Sequence, residues 1–308
     1  MVRTSLQVLF LLFGIFAGGC TDRGATEVFD IVIEGGRVMD PETNFDAIRN
    51  VGIRDGLIAV ITISHLDGVE VIDATGHVVT AGFIDTHHHG AGNLWGVKAG
   101  LRDGITTPMD LEMGAINVGA WYAEREQKWP VNFGVAASHE LHRMRVMDGM
   151  LFDEPADASA IAELRKAAYA DNGIADWAAT QATVDQLNAI LEGLDEDLRA
   201  GALGIASTTG YMAQSATTYE VFNVQKVAAN YSRLYGSHVR FAGNARLPTE
   251  AALGAFEQIA NGVALNQPVL VSHNNNFGWW EVEEHLAKLR HQGYNAWSEY
   301  YPYTCGSS

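Results

Sequence analysis

Gly82-Phe83-Ile84-Asp85-Thr86-His87-His88-His89 is an apolar run that ends in alternating polar groups, and its reading decides the fold. In an extended strand successive side chains point to opposite faces. Asp85, His87 and His89 therefore share one face, while Ile84, Thr86 and His88 share the other. Two imidazoles two residues apart at the end of a buried strand can grip one cation, and neutral imidazole is the commonest protein ligand for zinc-like metals.

Downstream of this run, buried-looking strands recur at 82–87, 105–111, 132–138, 202–207, 234–239, 268–272 and 295–301. Helix-period segments separate several of them. Thr183 and Gln186 form a capping-box pair opening a helix whose Val184, Leu187, Leu191, Leu194 and Leu198 make one stripe. A second helix carries Leu253, Phe256 and Ile259, and a third carries Val282, Leu286 and Leu289 and stops near Gly293. Strand–helix alternation of this length predicts parallel βα units, most simply a TIM-type (β/α)8 barrel over residues 81–308. Seven candidate strands are present where a closed barrel needs eight, so the barrel is expected to be incomplete before strand eight. Residues 151–180 fit no barrel element and read as an insertion on a loop, part of a lid.

Upstream, residues 28–80 read as short strands with turns. Val51-Gly52-Ile53-Arg54 meets Asp55-Gly56, a hairpin signal, and returns through Leu57 to Ile61. We expect a small N-terminal β-sandwich domain whose second half is missing from this chain. Residues 1–20 are a separate object. Arg3 precedes an apolar run from Leu6 to Ala17 that breaks at Gly18-Gly19-Cys20, the anatomy of a secretory signal. Small residues before Cys20 resemble a bacterial lipobox, although Ala17 stands where Leu is usual. The expectation is an exported, periplasmic protein that meets the membrane only through a lipid anchor at Cys20. An ordinary signal peptide is the alternative. Only Cys305 would then remain, and it reads as a packed thiol. Lys plus Arg total 20 against 37 Asp plus Glu, a net charge of −17. A surface that acidic disfavours nucleic acid as a partner.

The eleven histidines can be weighed individually. His65 and His77 fall in turns and His285 and His291 on a late helix with Glu281, Glu283 and Glu284, all surface positions. His139 and His142 share the turn His139-Glu140-Leu141-His142, where His139 is a candidate for the substrate pocket. Four others close a strand: His87, His89, His238 after Leu234-Tyr235-Gly236-Ser237, and His273 after Pro268-Val269-Leu270-Val271-Ser272. Strand ends are where barrel enzymes carry their chemistry, and four at equivalent ends converge on one axis. An anionic ligand between two cations would come from the second strand, where Asp110 and Glu112 share a face. Glu112 lies nearer the strand end and is preferred.

These residues match a family pattern. The chain resembles the amidohydrolase superfamily and, within it, the D-aminoacylase (N-acyl-D-amino-acid deacylase) group, from about Asp30 onward. The motifs are Asp30-Ile31-Val32-Ile33-Glu34-Gly35-Gly36, the Gly82–His89 block, Gly104-Ile105-Thr106-Thr107, Gly201-Ala202-Leu203-Gly204-Ile205, His238-Val239-Arg240 and Tyr301-Pro302-Tyr303. The resemblance implies one or two divalent ions, usually zinc, and hydrolysis of an amide in a small-molecule substrate. It implies that His87, His89, His238 and His273 are metal ligands and that Asp85 orients a ligand imidazole. It also implies that Tyr211 polarises the substrate carbonyl and that Arg240 meets a substrate carboxylate.

Three departures accompany the resemblance. D-aminoacylases place a cysteine ligand near Met113, where this chain has none, and Glu112 is the expected substitute. Ser272-His273-Asn274-Asn275 stands where the group has Ser-His-Leu-Lys, so specificity is expected to differ. The group's general base is an aspartate at the end of strand eight and has no counterpart before Ser308. These residues are therefore expected to be the N-terminal part of a longer protein. The alternatives are a cyclic amidase or deaminase of the same superfamily, and a catalytically inactive lipid-anchored binding protein. Oligomeric state is not legible.

Overall fold

The computed structural model describes residues 27–169, 173–241, 252–275 and 278–302. The expected leader (residues 1–20, with Cys20), Tyr303 and Cys305 lie outside the described residues. The chain divides into two compact units at Ala81/Gly82.

The first unit is built around one long strand, β1 (Val28–Asp40). Strand β2 (Phe45–Arg54) pairs antiparallel with it and β3 (Leu57–Thr62) pairs antiparallel with β2, while β4 (Asp67–Asp73) and β5 (Val78–Val79) run parallel along its other edge. The predicted hairpin turn is Asp55-Gly56, both at positive φ (53° and 72°), as a two-residue type I′ connection requires. Phe29, Val32, Val38 and Val51 are buried, whereas Leu57, Ile58 and Val69 stay exposed. The described residues of this unit form a five-stranded sheet in which β1, at 13 residues, pairs along both edges.

The second unit is a parallel sheet of seven strands in sequence order. These are β6 (Phe83–Asp85), β7 (Ile105–Ile116), β8 (Gly134–Ser138), β10 (Gly204–Ser207), β11 (Leu234–Ser237), β12 (Val269–Val271) and β13 (Ala296–Ser298). Each falls on one of the seven predicted strands. The short β9 (Ala156–Asp157) adds antiparallel to β7. Helices α1 (Leu94–Arg102), α2 (Val118–Arg125), α7 (Thr218–Ala229), α8 (Leu253–Leu265) and α9 (Trp279–His291) each link successive strands. Four helices, α3 (His139–Met147), α4 (Ile161–Ala167), α5 (Asp176–Ala179) and α6 (Val184–Arg199), lie between β8 and β10. No described helix is long and apolar enough to cross a membrane.

Side-chain alternation divides the sheet's faces. Val135, Ala137, Ile205 and Tyr235 pack outward against Trp121, Ile190, Leu194, Leu198 and Val224 of the helices. Each such fully buried leucine contributes about 1.5–3 kcal/mol. The opposite face carries Leu111, Ala136 and Ala206. It is narrow: a Cβ on Gly236 would stand 2.2 Å from the Leu111 carbonyl oxygen. Helix α6 opens on the predicted capping box, with the Thr183 and Gln186 bonds both present. Its buried stripe is Leu187, Ile190, Leu194 and Leu198, while Val184 in the first turn is exposed. The described part of residues 151–180 contributes to a core: Ala168, Ala175 and Trp177 join Met113, Leu141, Met144 and Met212.

Candidate metal centre

Strand β6 stops at Asp85, and the chain then turns so that His87 and His89 face each other, Nε2 to Nε2, at 3.2 Å. Glu112 comes from β7. Its Oε2 lies 3.8 Å from His87 Nε2 and 3.7 Å from His89 Nε2. Its Oε1 lies 3.1 Å from His238 Nδ1 and 3.7 Å from His273 Nε2. Those two nitrogens are 2.9 Å apart. Two triads, His87–His89–Glu112 and Glu112–His238–His273, therefore share one carboxylate, with all ligand atoms of a triad within 4.8 Å of one another.

Burial works against charge on Glu112, but hydrogen bonds from His238 and His273 and the nearby His87 and His89 hold its carboxyl well below the usual carboxylate range. Burial would also lower His89, yet the Asp110 carboxylate and then Glu112 push it up to about 9. Imidazole nitrogens gathered on an ionised carboxylate are a donor set that suits a zinc-type ion. His273 itself sits at φ 34°, a left-handed conformation rare outside glycine and costly enough to cluster at functional sites.

The choice between Asp110 and Glu112 is decided by a bulge. The register of β7 on β8 shifts between Asp110 and Ala115, with Gly114 at φ 74°. Asp110 Oδ1 accepts the backbone N–H groups of Glu112, Met113 and Gly114 at 3.2, 2.9 and 3.1 Å, which shapes the bulge. Its Oδ2 accepts His89 Nδ1–H at 2.9 Å. Asp110 thus stands behind a histidine and Glu112 between four of them.

Tyr211 is half exposed. Its ring stacks on that of His238 (centroids 4.6 Å apart, 20° between planes), and the Arg165 guanidinium lies 4.4 Å from its ring centre. Burial first, then the Glu112 charge, raises its hydroxyl above the ordinary range, so it remains a donor at neutral pH.

Three expected roles fail on geometry. Asp85 does not orient a ligand imidazole: its Oδ2 lies 3.3 Å from His88 Nδ1 and its Oδ1 accepts the His87 backbone N–H at 3.0 Å, because strand alternation ends at Asp85. Arg240 is not presented to a substrate carboxylate. It is buried, with Nε on Glu257 Oε2 at 2.8 Å and Nη1 on the Ala213 carbonyl at 3.1 Å, since a buried guanidinium needs its partner inside the protein. His139 is not in a substrate pocket. It is fully buried between Ser207 Oγ and Glu220 Oε1, 2.9 Å from each. His142 is likewise buried, on Asp197 at 2.9 Å.

Sequence reasoning passed over two groups. Arg165, from the insertion, forks onto the buried Glu140 through Nε (2.7 Å) and Nη2 (2.9 Å). Glu299, one residue past β13, bonds His87 Nδ1 and Thr86 Oγ1. A signal for Glu299 exists: Ser298-Glu299 closes an apolar strand as Ser237-His238 and Ser272-His273 do.

No family model matches the chain. A D-aminoacylase of Alcaligenes xylosoxydans xylosoxydans is 26% identical over 300 residues, 92% of this chain and 59% of that protein. An N-acyl-D-glutamate deacylase of the same organism is 29% identical over 310 residues, 92% of this chain and 58% of that protein. The crystal structure of an N-acyl-D-glutamate deacylase from Bordetella bronchiseptica, complexed with zinc and a phosphonate mimic of the tetrahedral intermediate, superposes with a TM-score of 0.67 at 22% identity. That match covers 90% of this chain and 59% of the other. The chain spans less than two thirds of the length of the relatives it matches. The parallel sheet and its connections are those of a TIM-like amidohydrolase fold, and in sequence the chain is similar to a D-aminoacylase and an N-acyl-D-glutamate deacylase.

Proposed function

We propose that the protein hydrolyses the amide bond of an N-acyl-D-amino acid or a closely related small molecule, using one or two divalent ions, zinc above all. The observation that carries this is the pair of triads sharing Glu112 at the carboxyl ends of the strands. His87, His89 and Glu112 would hold one ion, and Glu112, His238 and His273 the other. An ion so held supplies Lewis acidity to a carbonyl oxygen and lowers the pKa of water. The chain's own groups do the rest. Glu112, ionised and buried, fixes the spacing of the two positions through its two oxygens. Tyr211, stacked on His238 with Arg165 against its ring, would offer its hydroxyl as a donor to a carbonyl oxygen gathering charge.

Two departures bear on specificity. Asn275 stands where the group has a lysine after the strand-six histidine. Asn275 is engaged with the Tyr301 backbone, accepting its N–H at 2.6 Å and donating to its carbonyl at 3.3 Å. With Arg240 also withdrawn into an ion pair, Arg165 is the cation that the described residues place against the Tyr211 ring. The substrate therefore need not be the one the namesake enzymes prefer. The test is an assay of the full-length protein on N-acyl-D- and N-acyl-L-amino acids, with and without chelator, alongside its zinc content. D-selective, chelator-sensitive hydrolysis is expected. Chelator-insensitive activity, or protein that binds no metal, overturns the proposal.

A further inference from the structure

Arg165 reaches the site from α4, inside the stretch 151–180 that no barrel strand or helix supplies. Its partner Glu140, in the first turn of α3, is fully buried, whereas the Arg165 side chain is 31% exposed. The fork onto Glu140 uses one edge of the guanidinium, Nε and Nη2, and leaves Nη1 outside the pair. Two aromatic rings steady the plane: Cζ lies 4.4 Å from the Tyr211 ring centre and 5.6 Å from that of Trp177. A guanidinium fixed in this way gives up little further freedom on meeting an anion, and it stays charged at any working pH.

Glu140 sets Tyr211 as well. Its Oε2 accepts the Thr208 hydroxyl, and the Thr208 carbonyl accepts the Tyr211 backbone N–H at 2.9 Å. One buried carboxylate thus spaces a guanidinium against a phenol hydroxyl. The hydroxyl feels that neighbour: burial and the Glu112 charge raise its pKa, while the charge and hydrogen bonding of Arg165 draw it back. Tyr211 is half exposed and stacks on His238, so the pair stands open to solvent beside Glu112, His238 and His273. Arg143 and Arg240, by contrast, are buried on Glu220 and Glu257. Adjacent donors, one for a neutral oxygen and one for an anion, match an amide whose carbonyl lies a few bonds from a carboxylate.

We infer that Arg165 is a specificity-determining residue that grips a carboxylate of the substrate on its Nη1 side, so that the site selects N-acyl amino acids as free acids. The inference rests on the amide-hydrolysis reading of the site. A carboxamide in the same place brings no charge and turns N–H groups toward N–H groups, so the site rejects it.

The experiment uses the full-length, zinc-loaded protein and reads kcat/KM on N-acetylmethionine, N-acetylglutamate and the α-carboxamide of each. Arg165→Met should lower kcat/KM about 10- to 100-fold on substrates that carry the gripped carboxylate, as loss of a charge-assisted hydrogen bond does. The affected pair is the two free acids if the α-carboxylate is read, and the two glutamate compounds if the side-chain carboxylate is read. N-acetylmethioninamide, with no carboxylate, should be slow in wild type and unchanged in the variant. Arg165→Lys, which keeps the charge without the fork, should recover only part of the loss. Arg165→Met strands the Glu140 charge inside the protein; Arg165→Met/Glu140→Gln removes it and should show the same selective loss. Zinc content should stay at the wild-type value in every variant. An equal loss on N-acetylmethioninamide, no loss on any substrate, or a wild type that cleaves acids and carboxamides alike overturns the inference. Wild-type protein that cleaves none of the four overturns the hydrolysis reading instead, which keeps the two failures apart.

Discussion

Replacing Arg143 by Met tests how the insertion is held beside the site. Arg143 on α3 is fully buried. Its Nε donates to the Trp177 carbonyl at 2.7 Å, and its Nη2 donates to the Thr180 carbonyl at 2.9 Å and to Ser215 Oγ at 3.4 Å. Nη1 meets Glu220, which His139 also touches. One side chain therefore ties α5, the loop after β10 and α7 to α3. Met matches the aliphatic stem, so little cavity opens, and the loss is polar. Breaking a buried ion pair by removing one partner costs about 3–5 kcal/mol, and each stranded carbonyl adds roughly 1–3 kcal/mol. Protonation of the orphaned Glu220 caps the total, so we expect a loss near 5 kcal/mol, about 10–20 °C in Tm at the usual 2–4 °C per kcal/mol. Thermal unfolding by circular dichroism reads it. The double variant Arg143→Met/Glu220→Gln should recover part of the loss, because it removes the charge left buried. A Tm drop below about 3 °C, roughly 1 kcal/mol on the same scale, or a double variant no better than the single one, would refute the reasoning.

Gly210→Ala should disturb one ion position only. Its Cβ would stand 2.5 Å from His238 Cδ2 and 2.9 Å from the Val239 carbonyl oxygen, so the His238 ring must move. Zinc content should fall by one equivalent while the His87 position stays filled; an unchanged content sinks this expectation. Acid should weaken the fold through His142. Burial lowers its pKa below the ordinary 6.5 despite the hydrogen bond to Asp197, so the folded state keeps the ring neutral while the unfolded chain takes up a proton below 6.5. Stability is then full above that pH and falls on going below it, by up to about 1.4 kcal/mol per pH unit for the group. Denaturant unfolding at pH 7, 6 and 5 should show a shallower decline for His142→Gln than for wild type, and parallel declines would refute it.

Much of the candidate site was legible because its signals are local. Apolar runs closed by Ser-His at residues 237–238 and 272–273, and the His-x-His after β6, mark strand ends by short-range pattern alone. The same rule applied to Ser298-Glu299 would have reached the carboxylate behind His87. Arg240 and His139 were misjudged for a different reason. Each lies beside a strand end, as His238 and His273 do, but Glu257 and Glu220 take them up from helices 17 and 81 residues away. Val184 shows the milder error: it keeps the helical period yet lies at the exposed first turn of α6, where no neighbouring element covers it.

By itself the sequence determined the strand–helix rhythm, the hairpin at Asp55-Gly56 and the four histidines at strand ends, because period and turn chemistry act over a few residues. Only the tertiary structure decided which carboxylate lies between the triads, which ring nitrogens face inward and which carboxylates stand behind them. The bulge of β7 turns Asp110 onto His89 and Glu112 onto both triads, and the curl of the sheet brings Glu299 to His87 across 212 residues. Those contacts depend on register and curvature of the whole sheet, which no short window of residues specifies.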